Sequence, residues 1–230
     1  MLMGICFCCP TVLLLWYEGF CILLGFDPGG EFLNCSMNWI QYPIILQGEK
    51  VKLVPLDNAH IPALVAIGSR EKIWEHISIN GADPERLTQH LKSAILKRAT
   101  GEQYPFTIVD GLKDNIIGST LFHNIFPEHR KLEIGWTWYD PAYWRTGYNR
   151  ECKLLLLTYC FETLKTVRVQ LQTDENNHRS RTAILRIGAT FEGILRKERV
   201  RANGAFRSTA MYSIIDDEWP EVKKNFPLIH

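Results

Sequence analysis

The chain has 230 residues, of which 46% are hydrophobic and 22% charged, with a formal net charge of +1. This is an ordinary globular balance, and it excludes a disordered or fibrous polypeptide. All 26 basic residues lie after position 49 together with 21 of the 25 acidic ones, a surplus of five. That surplus favours an anionic ligand, but no dense Lys/Arg block points to nucleic acid.

Residues 2–26 are strongly apolar, yet Glu18 interrupts them and no basic residue flanks them, so they match neither a spanning helix nor a signal peptide. We expect residues 1–42 to be an apolar, cysteine-rich extension outside the domain, loosely packed or upstream of the true start, with palmitoylation and membrane anchoring as the lesser alternative. The domain itself is expected over 43–230. Seven cysteines, five of them before position 36, do not form a disulfide framework, and the scattered histidines lack metal-ligand spacing. A reducing, cytoplasmic setting without a metal fits best.

In chain order, "PIILQGEKVKLVPL" reads as a strand pair or one bent strand. Asp57 can cap a helix through Ile67, and Asp83-Pro84 opens another running to about Arg98. Three short strands follow, "YPFTIVD", "NIIGSTLFH" and "KLEIGWTWYD", and their tight connections imply antiparallel neighbours. Residues 147–164 are apolar all round, as in a helix buried against a sheet. "VRVQLQT" alternates as a strand, Asn176 or Asn177 caps a helix to Ile187 that Gly188 ends, and Asn203-Gly204 turns a closing hairpin.

The chemistry lies in "WRTGYN", a glycine turn between a strand and a helix. First-turn amides lack intrahelical partners and the helix dipole favours negative charge, so this is an anion site. Gly147 permits close backbone approach, Arg145 offers a cation and the Thr146 hydroxyl can donate to a phosphate oxygen. A lone glycine at a helix start is, on the same residues, also compatible with a plain turn.

The arrangement resembles the GNAT superfamily of acetyl-CoA-dependent N-acetyltransferases, in particular its branch of ribosomal-protein N-terminal acetyltransferases of the Rim type, over about residues 44–220. "LEIGWTWYDPAYWRTGYN" is similar to that family's fourth strand and Q/R-x-x-G-x-G/A loop, with Trp144, Gly147 and Asn149 at the three defining positions. "NNHRSRTAILRIGATFEGILR" is similar to the Rim-type N-x-x-S run and L-G-F-x-x-E-G ending, matching at Asn177, Ser180, Gly188, Phe191, Glu192 and Gly193, and "YSIIDDEWP" is similar to its C-terminal strand. Arg145 and Asn149 depart from the small residues usual there.

The resemblance implies an α/β (α+β) fold, a mixed, mostly antiparallel sheet with splayed central strands and helices on both faces. It implies that acetyl-CoA is the co-substrate, its pantetheine pairing with the backbone of Trp136, Thr137 and Trp138, and its diphosphate meeting Trp144, Arg145, Thr146, Gly147, Tyr148, Asn149 and Arg150. Glu133 is the implied base, placed on one strand face with Gly135 and Thr137 if alternation holds. Ser180 is the implied proton donor with Tyr148 in reserve, and Asn177 is a coenzyme contact or merely a helix cap. The acceptor is a primary amine on a peptide N-terminus, a polyamine or an amino sugar. A non-catalytic acyl-CoA-binding regulatory module of the same fold is the competing reading.

Overall fold

The structure, a computed structural model, describes residues 12–17, 20–26, 32–34, 39–77, 79–201 and 204–226. The chain divides into two compact units, Met1–Gln41 and Tyr42–His230. The first contains three strands, β1 (Val12–Tyr17), β2 (Phe20–Phe26) and β3 (Phe32–Asn34), joined antiparallel in that order. The cysteines of this segment lie outside the residues whose side chains are described. Among the described residues no helix is long and apolar enough to cross a membrane.

The second unit is an eight-stranded sheet. Its elements are β4 (Leu46–Gln47), β5 (Val51–Pro55), α1 (Ile61–Gly68), α2 (Pro84–Ala99), β6 (Tyr104–Asp110), β7 (Asn115–Phe126), β8 (Lys131–Tyr139), α3 (Tyr148–Thr158), β9 (Arg168–Asp174), α4 (His178–Arg186), β10 (Thr190–Val200), β11 (Phe206–Ile215) and α5 (Trp219–Lys224). The strand order is β10-β11-β9-β8-β7-β6-β5-β4, antiparallel throughout except for β8 and β9. Every residue of β6 is buried, because helices cover both faces of the sheet.

Local signals build most of this. Asp57 accepts the Ala59 amide and Asp83 accepts those of Glu85 and Arg86, with Pro84 opening α2. Asn177, not Asn176, caps α4 by accepting the Ser180 amide, and Gly188 ends it at φ +88°. Two boundaries differ from expectation: the helix begun at Tyr148 passes at Tyr159 into a π turn through Thr163, and residues after Ile215 form the short helix α5. Gly204 of the closing hairpin has φ +81°, while Asn203 lies outside the described residues.

Trp74, Leu64, Leu87, Leu91 and Trp138 form a core between α1, α2 and the sheet. Beside it, β7 and β8 approach so closely at Gly118 that an added Cβ would sit 2.1 Å from the Trp138 carbonyl oxygen. Gly118→Ala must push this pair apart and is expected to cost about 2 kcal/mol, read as a lowered urea midpoint at unchanged slope.

Candidate active site

The site begins where two strands part. Strands β8 and β9 pair in parallel only at Lys131–Glu133 with Arg168–Gln170, and beyond Glu133 the β9-facing edge of β8 is unpaired. The splay opens a cavity of about 860 Å³ lined by Ile134–Tyr139 of β8, Leu171–Thr173 of β9, the loop before α3 and the inner side of α4, a size suited to a cofactor-sized ligand.

A bulge lies in the same edge. From Ser119 to Leu121 β7 advances two residues while β8 advances three, from Gly135 to Trp138, and Trp136 is left-handed with φ +51°. Alternation therefore fails past Gly135, which corrects the expected sharing of one face by Glu133, Gly135 and Thr137. Glu133 and Gly135 lie with His123, whereas the Thr137 hydroxyl meets Thr120 Oγ1 at 2.8 Å and accepts from Lys153 Nζ of α3 at 2.7 Å. The side chains of Trp136 and Trp138 pack against His90 and Trp74, so any contact these strand residues make with a ligand in the splay is through their backbone.

The loop feeding α3 is tightly held. Asp140 accepts the Ala142 amide and Arg70 Nη1, and the Tyr143 hydroxyl donates to the buried Asp110. Arg145 and Gly147 both take positive φ, +65° and +92°, and no side chain caps the helix, so the Tyr148 and Asn149 amides have no intrahelical acceptor, while those of Arg150 and Glu151 donate to the Gly147 carbonyl. Glycine at 147 follows from its φ, and the space where a Cβ would stand is open. Glu151 accepts the amides of Glu49 and Lys50 and pins the start of α3 to the β4–β5 turn.

Most of the expected residues converge. Glu133, Trp136, Thr137, Trp138, Trp144, Arg145, Gly147, Asn149, Arg150, Asn177 and Ser180 all line the cavity. Two do not. Thr146 is exposed and its hydroxyl donates to the Tyr143 carbonyl at 2.6 Å, while Tyr148 is buried away from the cavity against Tyr143. Burial and its hydrogen bond to Asp110 push the Tyr148 hydroxyl up to about 12, which removes it as a ready proton donor. The Asn177 side-chain oxygen is committed to its cap, and the indole of Trp144 is flanked by Arg179 at 4.1 Å and Lys72 at 5.7 Å.

Glu133 is 1% exposed. Its Oε2 accepts from Asn124 and Gln170, both at 2.9 Å, and its Oε1 lies 3.1 Å from His123 Nε2. Burial alone would raise its carboxyl, but the contacts from His123, Asn124 and Gln170 outweigh this and hold it below the ordinary range. His123 also lines the cavity, and a Cβ on Gly135 would fall 2.4 Å from its Nε2. His123 was not among the expected residues, since its only local signal is an inward position on β7. Among the described residues no three metal-ligating side chains gather.

Against known proteins, residues 50–190 match the family model described as acetyltransferase (GNAT) domain. The chain belongs to the GNAT acetyltransferase family. The N-acetyltransferase YoaA of Bacillus subtilis, itself uncharacterized, is 32% identical over 100 residues, 44% of this chain and 55% of that protein. YdaF of the same organism, provisionally named a ribosomal N-acetyltransferase, is 31% identical over 105 residues, 46% of this chain and 56% of that protein. The GNAT chain thus spans about half the length of these curated relatives. A solved structure from T. thermophilus, provisionally titled an acetyltransferase, matches with a TM-score of 0.72 at 33% identity, covering 81% of this GNAT chain and 97% of that one.

Proposed function

We propose that this GNAT protein is an acetyl-CoA-dependent N-acetyltransferase that moves an acetyl group from sulfur to a primary amine. The observation that carries the reading is the parting of β8 from β9 at Glu133, which brings an unpaired strand edge, an uncapped helix start and the His123–Glu133 pair into one cavity.

When bound, the co-substrate supplies an acyl group activated as a thioester. The residues present fit it. The α3 amides beside left-handed Gly147 offer donors to a diphosphate, and Arg145, Arg150, Arg179 and Arg186 line the same cavity as counter-charges. The unpaired amides of β8 offer backbone donors to pantetheine and to developing negative charge on the carbonyl oxygen. His123, beside Glu133, accepts the proton of the attacking amine, and the Ser180 hydroxyl, at the cavity wall, passes its proton to the departing sulfur and regains one from solvent as His123 releases its own. The free, buried thiols of Cys152 and Cys160 support a reducing compartment, the cytoplasm.

Acetyl-CoA at about 100 times its dissociation constant is expected to stabilise the protein by about 2.7 kcal/mol, which raises the melting temperature by roughly 5–10 °C in a unit of this size. Gly147→Val, strained at φ +92° and filling the cradle, is expected to abolish the shift. No shift at millimolar ligand would sink the reading. The competing module, favoured by Arg145 at a left-handed position of the loop, requires the same shift without thiol release for any amine.

A further inference from the structure

The ends of β9, β10 and β11 form a second charged region of the cavity. Three guanidiniums and two carboxylates meet there. Arg201 Nη2 lies 2.5 Å from Asp174 and Arg199 Nε 2.9 Å from Glu198. Arg207 has no carboxylate within ion-pair distance among the described residues. Its Nη1 donates to the His76 carbonyl at 3.0 Å and its Nη2 to Thr209 Oγ1 at 3.5 Å, its Nε has no hydrogen-bond partner among the described residues, and it is 8% exposed. His76 Nδ1 is likewise buried and unpartnered. Burial works most against the Arg207 charge, with Arg199 and Arg201 adding to it, while Asp174 and Glu198 favour it from beyond ion-pair distance, so that three guanidiniums against two carboxylates leave one positive charge over. An unpaired buried cation is costly, so its retention calls for an anion that arrives from outside. Arg199, Arg207 and His76 line the cavity, and Asp174 and Glu198 do not.

The register locates this group relative to the chemistry. Gln170 pairs with Glu133 on one side and Ser213 on the other, and Asp174 pairs with Thr209, so Arg207 stands two residues beyond the level Thr137 would occupy. Two paired-strand spacings and two residues of rise set a lower bound of about 12 Å on its distance from the β8 amides, and the parting of β8 from β9 widens it. Cations there repel a polyamine. A chain of about four extended residues spans a gap of that order. Building on the acetyltransferase reading, we propose that the acceptor is the amino terminus of a peptide with a carboxylate at its third or fourth residue, held by Arg207 and Arg199. That carboxylate is an acidic side chain or the free C-terminus of a short peptide.

The test uses the full chain saturated with CoA. Calorimetry measures the binding of six-residue C-terminally amidated peptides carrying Glu, Gln or Lys at position three or four, and of a tetrapeptide with a free C-terminus. Glu peptides are expected to bind about tenfold tighter than Gln peptides, equivalent to about 1.4 kcal/mol, with Lys peptides weakest. Tight binding of the tetrapeptide rather than of the Glu series assigns the carboxylate to the chain end. Arg199→Gln, on a part-exposed side chain, is expected to shrink the Glu-to-Gln ratio, and Arg207→Gln to abolish it if that variant folds. Equal binding of Glu and Gln peptides, a ratio unmoved in Arg199→Gln, or a loss of acetyl-CoA affinity in its place overturns the proposal. Thiol release separates the two readings: release that favours Lys peptides leaves the acetyltransferase standing and removes the subsite. Acid-selective binding without release for any amine does the reverse.

Discussion

Glu133→Gln slows acetyl transfer by about 10²- to 10³-fold while leaving the acetyl-CoA melting shift intact, and His123→Ala does the same. The expectation follows from position. The pair sits at the apex of the splay, 3.1 Å apart, and Gly135 leaves room for the imidazole. Because its contacts hold the Glu133 carboxyl below the ordinary value of 4.5, it stays ionised through the neutral range and its protonation does not limit wild-type activity above about pH 5. The sign for stability follows. A depressed carboxylate stabilises the fold above its unfolded pKa, and this is lost as pH falls through the lower folded value. Glu133→Gln should therefore flatten the acid side of the melting-temperature profile. Steady-state kinetics on both variants decide the matter, and full activity in both would remove the pair from the mechanism.

Lys153→Met makes the protein more stable at neutral pH. Lys153 is 7% exposed, donates to Thr137 Oγ1, and has its ammonium pulled by burial from 10.5 to about 8. Below pH 8 both folded and unfolded chains carry the proton, so the full cost of the buried charge is present. Between about 8 and 10.5 the unfolded chain binds more protons, and stability rises with pH. That interval corresponds to about 3 kcal/mol, offset by about 1 kcal/mol for the lost hydrogen bond. The variant should melt roughly 4–8 °C higher at pH 7, with the advantage shrinking toward pH 10.5. Equal melting temperatures across a pH series would show that the amine is hydrated in the folded state.

Much of the scaffold could be read from neighbouring residues, because caps, turns and alternation are local physics. Asp57, Asp83-Pro84 and Asn177 start their helices through hydrogen bonds spanning two or three residues, and the β6–β7–β8 meander follows from short connections. Gly147 at a positive φ before an uncapped helix was legible for the same reason. Thr146 is lost to a local bond, its hydroxyl donating to the Tyr143 carbonyl, but the other two failures are non-local. Thr137 changes face because a bulge against β7 turns the chain at Trp136, and a bulge depends on the partner strand's register. Tyr148 leaves the site because Asp110, 38 positions earlier, captures its hydroxyl.

Adjacent side chains and backbone geometry were enough to specify most of the helices and strands, the glycine turn before α3 and an acid that lines the cavity. Tertiary structure alone decided what those groups meet. His123 faces Glu133 from the neighbouring strand, Lys153 reaches Thr137 from α3, and among the described residues Arg207 has no carboxylate within ion-pair distance while its two arginine neighbours have theirs. The reason is physical: a group's charge, proton affinity and availability depend on burial and on partners brought close by sheet register, and register is a property of several strands at once.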